Sequence, residues 1–182
     1  MSIRSSSDPL GVLLALALFM APAQAQDRAP DIAYVPTPVV VVERMLELAK
    51  VTKEDLVVDL GSGDGRIPIL AAERFGARAI GIEINPVWVR DARAIAERSG
   101  LADRVSFRVE DIFDADLREA TVVMLYLFPD VNRKLEPKLA RELKPGTRVV
   151  SHEYLIGDWK PDHTETMYVG GEPHVIHSWT VR

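Results

Sequence analysis

Residues 56–66 read LVVDLGSGDGR. Leu56 to Leu60 is a short apolar run broken only by Asp59, the pattern of a strand buried on both faces. It leads directly into glycines at alternate positions, Gly61, Gly63 and Gly65. Apolar periodicity of helical type then begins at Arg66 and continues to Phe75, with Pro68 tolerable because it falls in the first turn. Strand, glycine turn and helix in direct succession form a βα unit, and such a turn is a place where many folds hold a nucleotide.

A helix precedes this stretch and the unit repeats after it. Upstream, Val39 to Lys50 supports an amphipathic helix through Val42, Met45, Leu46 and Ala49. Downstream, Gly76 closes the first crossover helix, Ala79 to Ile84 reads as a strand, and Pro86 to Arg98 as a helix stopped at Ser99-Gly100. Strands are expected at Val105 to Val109, Thr121 to Leu127 and Arg148 to Ser151, with a helix from Pro129 to Leu143. The Thr121 to Leu127 strand is the most apolar and therefore central. Thr164 to Val169 and His174 to Val181 alternate in polarity around Gly170-Gly171, which reads as a hairpin. Strands alternating with helices over short connections predict an α/β fold: a doubly wound, mostly parallel, Rossmann-like sheet with an antiparallel C-terminal hairpin at its edge.

Composition narrows the chemistry. The chain has 182 residues, 47% of them apolar, enough for one domain with a sizeable core. It has no cysteine, which excludes a disulfide framework, a thiolate metal site and a cysteine nucleophile. The net charge is -5 with acids and bases interleaved, so no basic stripe offers a footprint for nucleic acid. His174 and His177 stand three apart on an expected strand, on opposite faces, and are not expected to form a metal pair.

The N-terminus has its own character. Arg4 lies in a short polar stretch, Leu10 to Met20 is an apolar run, and Ala23-Gln24-Ala25 gives the small-x-small pattern before Gln26. That run is shorter than the roughly 20 residues that span a bilayer comfortably. Residues 1–25 are therefore expected to be a signal peptide directing the chain to the periplasm or the medium. Two alternatives stand beside it: an uncleaved anchor giving membrane association, and a cytoplasmic protein begun at Met20. Residues 26–38 read as a linker and covering segment ending in YVPTP, and residues 39–182 as the domain.

In a doubly wound sheet, ligands lie beyond the carboxyl ends of the strands where strand order reverses. A dinucleotide fingerprint requires G-x-G-x-x-G, with pyrophosphate on the helix N-terminus. Here the third glycine comes one residue early, and Asp59 and Asp64 would repel a pyrophosphate but favour a cation. S-adenosylmethionine carries two cationic groups, an ammonium and a sulfonium. From Val39 to Ser151 the sequence resembles the class I S-adenosylmethionine-dependent methyltransferases, whose first motif is an acid followed by a G-x-G-x-G turn. The resemblance implies that Asp59, Gly61, Ser62, Gly63 and Asp64 surround the cofactor. It implies that Glu83, ending the second strand, accepts the ribose hydroxyls. It places Asp111, at the end of the third, near the adenine amino group with Ile112 beside the ring. Arg66 opens the helix or pairs with Asp64, and Trp88 is open between a core and a cofactor-wall position.

YVPTP (34–38), VVDLGSGDGRIPILAA, GIEINP, VVMLYLFP and RVVSHEY are similar to the family that contains the ATP synthase c-subunit lysine methyltransferase and its prokaryotic relatives. That resemblance implies methyl transfer to a protein lysine, with the Tyr34 segment packed over the cofactor. The fourth strand ends Tyr126-Leu127-Phe128-Pro129 rather than N/D-P-P-Y, which argues against DNA adenine or glutamine targets. Tyr34, Tyr126 and Glu153 are the candidates to line the acceptor channel as the catalytic set, and His152 could accept a proton if the acceptor were a hydroxyl. Tyr126 is equally read as a core tyrosine, and His152 and Glu153 as a solvated strand end. A small-molecule O- or N-methyltransferase is one rival reading. A catalytically silent exported cofactor-binding or interaction module is the other.

Overall fold

The computed structural model describes residues 35–182. The elements are α1 (Val39–Leu48), β1 (Leu56–Leu60), α2 (Arg66–Phe75), β2 (Arg78–Glu83), α3 (Pro86–Arg98), β3 (Val105–Val109), β4 (Val122–Leu125), α4 (Pro129–Glu142), β5 (Arg148–His152), β6 (His163–Val169) and β7 (Glu172–Thr180). The strands form a single sheet in the order β3-β2-β1-β4-β5-β7-β6. β1 to β5 are parallel, and β7 runs antiparallel between β5 and β6. Strand order reverses between β1 and β4, which creates the crevice where such sheets bind ligands.

Each face of the sheet carries its own core. On one, Val42, Met45 and Leu46 of α1, Ala71 of α2 and Ala92 of α3 pack on Val57, Ala79 and Met124. On the other, Leu135 and Leu139 of α4 join Ala115 and Leu117 against Val58, Leu60, Val123 and Leu125. All four β4 residues are buried, as its apolar sequence and central position require. Among the described residues no helix is long and apolar enough to cross a membrane.

Boundaries follow from local chemistry. α3 starts at Pro86, where Asn85 caps it by accepting from the Val87 amide at 2.9 Å. α1 stops two residues before Lys50 because the chain turns left-handed there (φ 51), with the Val51 amide donating back to Leu46 O at 3.1 Å. β4 is shorter than its sequence predicts, ending at Leu125 instead of Leu127. Its neighbour β1 ends at Leu60, paired with Leu125, and leaves Tyr126 no ladder partner on that side. β2 likewise ends at Glu83, where its pairing with β3 ends at Val109, rather than at Ile84.

Candidate active site

The turn after β1 is built from left-handed glycines: φ is 79 at Gly61, 50 at Gly63 and 81 at Gly65. Only glycine enters that region without cost, which is why they alternate so strictly. Space makes the same demand. A Cβ at Gly65 would lie 2.5 Å from Phe107 Cζ and 2.9 Å from Ala92 Cβ, and one at Gly61 would lie 2.9 Å from Leu127 Cδ2. The Gly61 and Ser62 amides both donate to Ile82 O, at 2.9 and 3.0 Å, fixing the turn to the end of β2. Ser62 turns inward: its Oγ is buried with no hydrogen-bond partner among the described residues and stands over Gly81, where a Cβ would come within 2.6 Å of it.

Acids collect around this turn. Glu83 is buried and accepts from the Gly63 amide at 3.0 Å and the Asn85 amide at 2.8 Å, one to each carboxylate oxygen. Asp59 is also buried, and burial, with Glu83 and then Asp64 nearby, pushes its carboxyl well above the ordinary carboxylate range. Asp64 is held by Arg66, whose Nη2 lies 2.7 Å from Oδ2, so much of its charge is spent within the turn. The same guanidinium donates to Thr37 O at 2.8 Å, tying the segment before α1 to the turn. Asp111 lies at the end of β3 and caps a tight turn by accepting from the Phe113 amide at 3.0 Å, with Ile112 half-buried beside it.

Beyond the carboxyl ends of β4 and β5 lies a second cluster. The Tyr126 and His152 rings stand 4.2 Å apart, and burial followed by the Glu153 charge raises the phenol's pKa. His152 is not the solvated strand end that its neighbours in sequence suggest: it is fully buried, and burial followed by His174 holds its imidazole down to about 4. Its Nδ1 meets Thr37 Oγ1 at 3.1 Å, and its Nε2 faces His174 Nδ1 at 3.0 Å and Glu153 Oε1 at 3.2 Å. Glu153 is only partly buried, with a left-handed φ of 67.

The expected cofactor residues Asp59, Gly61, Ser62, Gly63, Asp64, Glu83, Asp111 and Ile112 thus stand at the ends of β1, β2 and β3, and Tyr126 and Glu153 at the ends of β4 and β5. Tyr34, residues 1–25 and most of the 26–38 segment lie outside the described residues. Sequence reasoning misses Thr37 and His174. It sets His174 only against His177, whereas the partner is His152, reached through the β5–β7 pairing in which His152 stands opposite Ile176.

Three comparisons with known proteins bear on this geometry. The family model of the ANTKMT methyltransferase domain matches residues 59–163. A protein-lysine N-methyltransferase of Saccharolobus islandicus is 47% identical over 153 residues, covering 84% of this chain and 95% of that protein. The adenine nucleotide translocase lysine N-methyltransferase of Mus musculus is 42% identical over 121 residues, 66% of this chain and 52% of its own length. The chain therefore spans nearly all of the first relative and about half of the second. Among solved structures, an RNA methyltransferase from Salinibacter ruber bound to S-adenosyl-L-homocysteine shares 54% identity at a TM-score of 0.75, covering 81% of this chain and 94% of that one. The matched span opens on Asp59 at the switch point and closes beyond Glu153, taking in both clusters, and the chain belongs to the ANTKMT methyltransferase family, as an S-adenosylmethionine-dependent methyltransferase.

Proposed function

We propose that this methyltransferase modifies the side-chain amine of a protein lysine. The observation that carries the reading is that an aromatic ring and a carboxylate, Tyr126 and Glu153, both meet His152 at the end of the sheet from which the glycine turn leaves. Leu125 pairs with Leu60, so Tyr126 follows β4 at the level where Gly61 follows β1. A lysine head is a cation on an apolar stem, and a ring face with a nearby acid suits it. The names of the Saccharolobus and mouse relatives, both lysine N-methyltransferases, support the same acceptor.

The residues around the turn fit the cofactor. Each Glu83 oxygen already accepts one amide and keeps a lone pair, which suits a ribose diol. Asp59, crowded by burial and by neighbouring acids, would be relieved by a cation. Asp111 and Ile112 are assigned to the adenine, the backbone of Gly61 to Asp64 to the methionine end, and Tyr34 to the cover. Bound S-adenosylmethionine supplies a methyl group on a sulfonium. The lysine ammonium binds as a cation and must give up one proton to solvent before its nitrogen can take the methyl group, so the chain's part is to align the neutral amine, strip its water and hold it at Glu153.

A decisive experiment follows tritiated methyl transfer into an extract of the source cell. Label released by protease and recovered as methyl-lysine supports the proposal. Label released by ribonuclease, as the name of the Salinibacter RNA methyltransferase would suggest, or label in small molecules, overturns it. The charge of -5 opposes the RNA outcome, because a polyanion is held by lysine and arginine on phosphates.

A further inference from the structure

The cluster at the end of β5 has a geometry that methyl transfer does not call for. His152 Nε2, His174 Nδ1 and Glu153 Oε1 form a triangle with sides of 3.0, 3.2 and 3.5 Å. Two imidazole nitrogens and a carboxylate oxygen thus face one point. Protons shared among them satisfy the triangle only pairwise, whereas one cation near its centre satisfies all three at once. A tetrahedral metal with bonds of about 2.0–2.2 Å separates its ligands by about 3.3–3.6 Å, close to these sides.

Two features show that the triangle is constructed. Consecutive strand residues point to opposite faces, so His152 and Glu153 would ordinarily diverge. At Glu153 the backbone instead turns left-handed, with φ 67, a strained conformation for a non-glycine residue, and the carboxylate Oε1 lies 3.2 Å from His152 Nε2. The backbone also secures this turn, with the Glu153 amide donating to Val175 O at 2.7 Å. The second feature is Thr37, whose Oγ1 meets His152 Nδ1 at 3.1 Å. When Nδ1–H donates to that hydroxyl, Nε2 presents its lone pair to the triangle, which is how outer-shell groups orient metal-binding histidines.

We propose that His152 Nε2, His174 Nδ1 and the Glu153 carboxylate form a binding site for a divalent transition-metal cation of the zinc class, and that its occupation excludes the acceptor amine from Glu153. Two imidazoles and one carboxylate suit Zn2+, Co2+ or Ni2+ rather than Mg2+ or Ca2+, which prefer oxygen ligands. Among the described residues no fourth protein ligand joins the three, so one coordination position is left for water or another small donor. The exclusion rests on the acceptor reading given above; the metal site does not.

The test uses the untagged full chain, stripped with chelator and titrated with Zn2+ by calorimetry and with Co2+ by visible absorption. The expected result is saturation at about one equivalent, with the strong visible band of four-coordinate Co2+. His174→Ala is expected to lower affinity by more than the roughly 10–100-fold that losing an outer-shell partner costs. Glu153→Gln, which keeps the side-chain volume, provides the same check if His174→Ala does not fold. His163→Ala, in an exposed pair with Glu165, should leave affinity unchanged. Absence of saturable binding, or wild-type affinity in both ligand variants, overturns the site. Methyl transfer measured with and without Zn2+ tests the exclusion separately. Inhibition in the wild type that His174→Ala relieves supports it. Stoichiometric binding with transfer unchanged overturns the exclusion and the placing of the amine at Glu153, while the metal site stands.

Discussion

Glu83→Gln separates the two duties of the residue at the end of β2. In the wild type each carboxylate oxygen accepts one backbone amide, Gly63 at 3.0 Å and Asn85 at 2.8 Å, and each keeps a lone pair toward the crevice. Glutamine has one acceptor oxygen, so whichever amide meets its NH2 group loses its partner. An amide orphaned in this buried position costs about 1–3 kcal/mol of stability. Opposing that loss, removal of the Glu83 charge relieves Asp59, whose raised pKa owes its second-largest contribution to Glu83. Net stability therefore falls by less than the full hydrogen-bond cost. Cofactor affinity has no such compensation: a hydroxyl bond to a charged acceptor is worth about 1.5–3 kcal/mol, so Kd should rise about 10- to 150-fold. Calorimetry with S-adenosylhomocysteine measures the affinity, and urea unfolding measures the stability. A Kd within threefold of the wild type in a folded variant would refute the assignment of Glu83 to the ribose.

Other perturbations probe separate parts of the molecule. Gly65→Ala combines a left-handed alanine, costing about 1–2 kcal/mol, with overpacking against Phe107 and Ala92 of about 1–3 kcal/mol. The unfolding free energy should fall by the corresponding ~2–5 kcal/mol, seen as a lower urea midpoint at unchanged m, and a loss below about 1 kcal/mol would contradict the close packing of the turn. Asp59 binds its proton more tightly folded than unfolded, so without cofactor its contribution to stability is full below the ordinary value of 3.8 and is lost as pH rises through the folded value. Asp59→Asn should flatten that part of the stability–pH curve, and an unchanged slope would sink the idea. Tyr126→Ala should raise KM for a lysine peptide by about 2- to 30-fold, the ~0.5–2 kcal/mol of a cation–ring contact, while Tyr126→Phe retains it; equal effects from the two would point to the hydroxyl instead. For the N-terminus, we propose export: mass spectrometry of the protein from its own cell should find Gln26 first, whereas Met1 in membranes or Met20 in the cytosol would replace that reading with an anchor or a later start.

The fold is legible where its determinants are local. β1, α2, α3 and β3 have the bounds their sequence predicts because each is punctuated by its own residues: the glycine turn, Gly76, Asn85-Pro86 and Ser99-Gly100. β4 reads too long in sequence because its end is set by a neighbour. Nothing in TVVMLYL marks Leu125 as its last paired residue; that depends on where β1 stops. The placement of Asp59, Glu83 and Asp111 at strand ends is readable for the same reason as the fold, since an acid at a strand end needs only its own strand to place it. Even there, the Asp64–Arg66 pair changes the electrostatics expected from the sequence. Asp64 is paired with Arg66 inside the turn, so its charge is partly offset there rather than offered whole to a bound cation.

The acceptor side is less legible, and the difference is physical. His152 and His174 are 22 residues apart and meet only because β7 folds back antiparallel beside β5. His152 stands opposite Ile176, and His174, two residues along β7, shares that face as its diagonal neighbour. Strand periodicity correctly separates His174 from His177, yet it cannot supply a partner from another strand. Periodicity also misdirects at Glu153, because alternation sends its carboxylate away from His152 and only the left-handed backbone returns it. Such a reversal costs about 1–3 kcal/mol in a non-glycine residue. At Lys50 the same left-handed turn only ends a helix, whereas at Glu153 it brings a carboxylate oxygen within 3.2 Å of His152 Nε2 and 3.5 Å of His174 Nδ1, where an amine or a cation can be held.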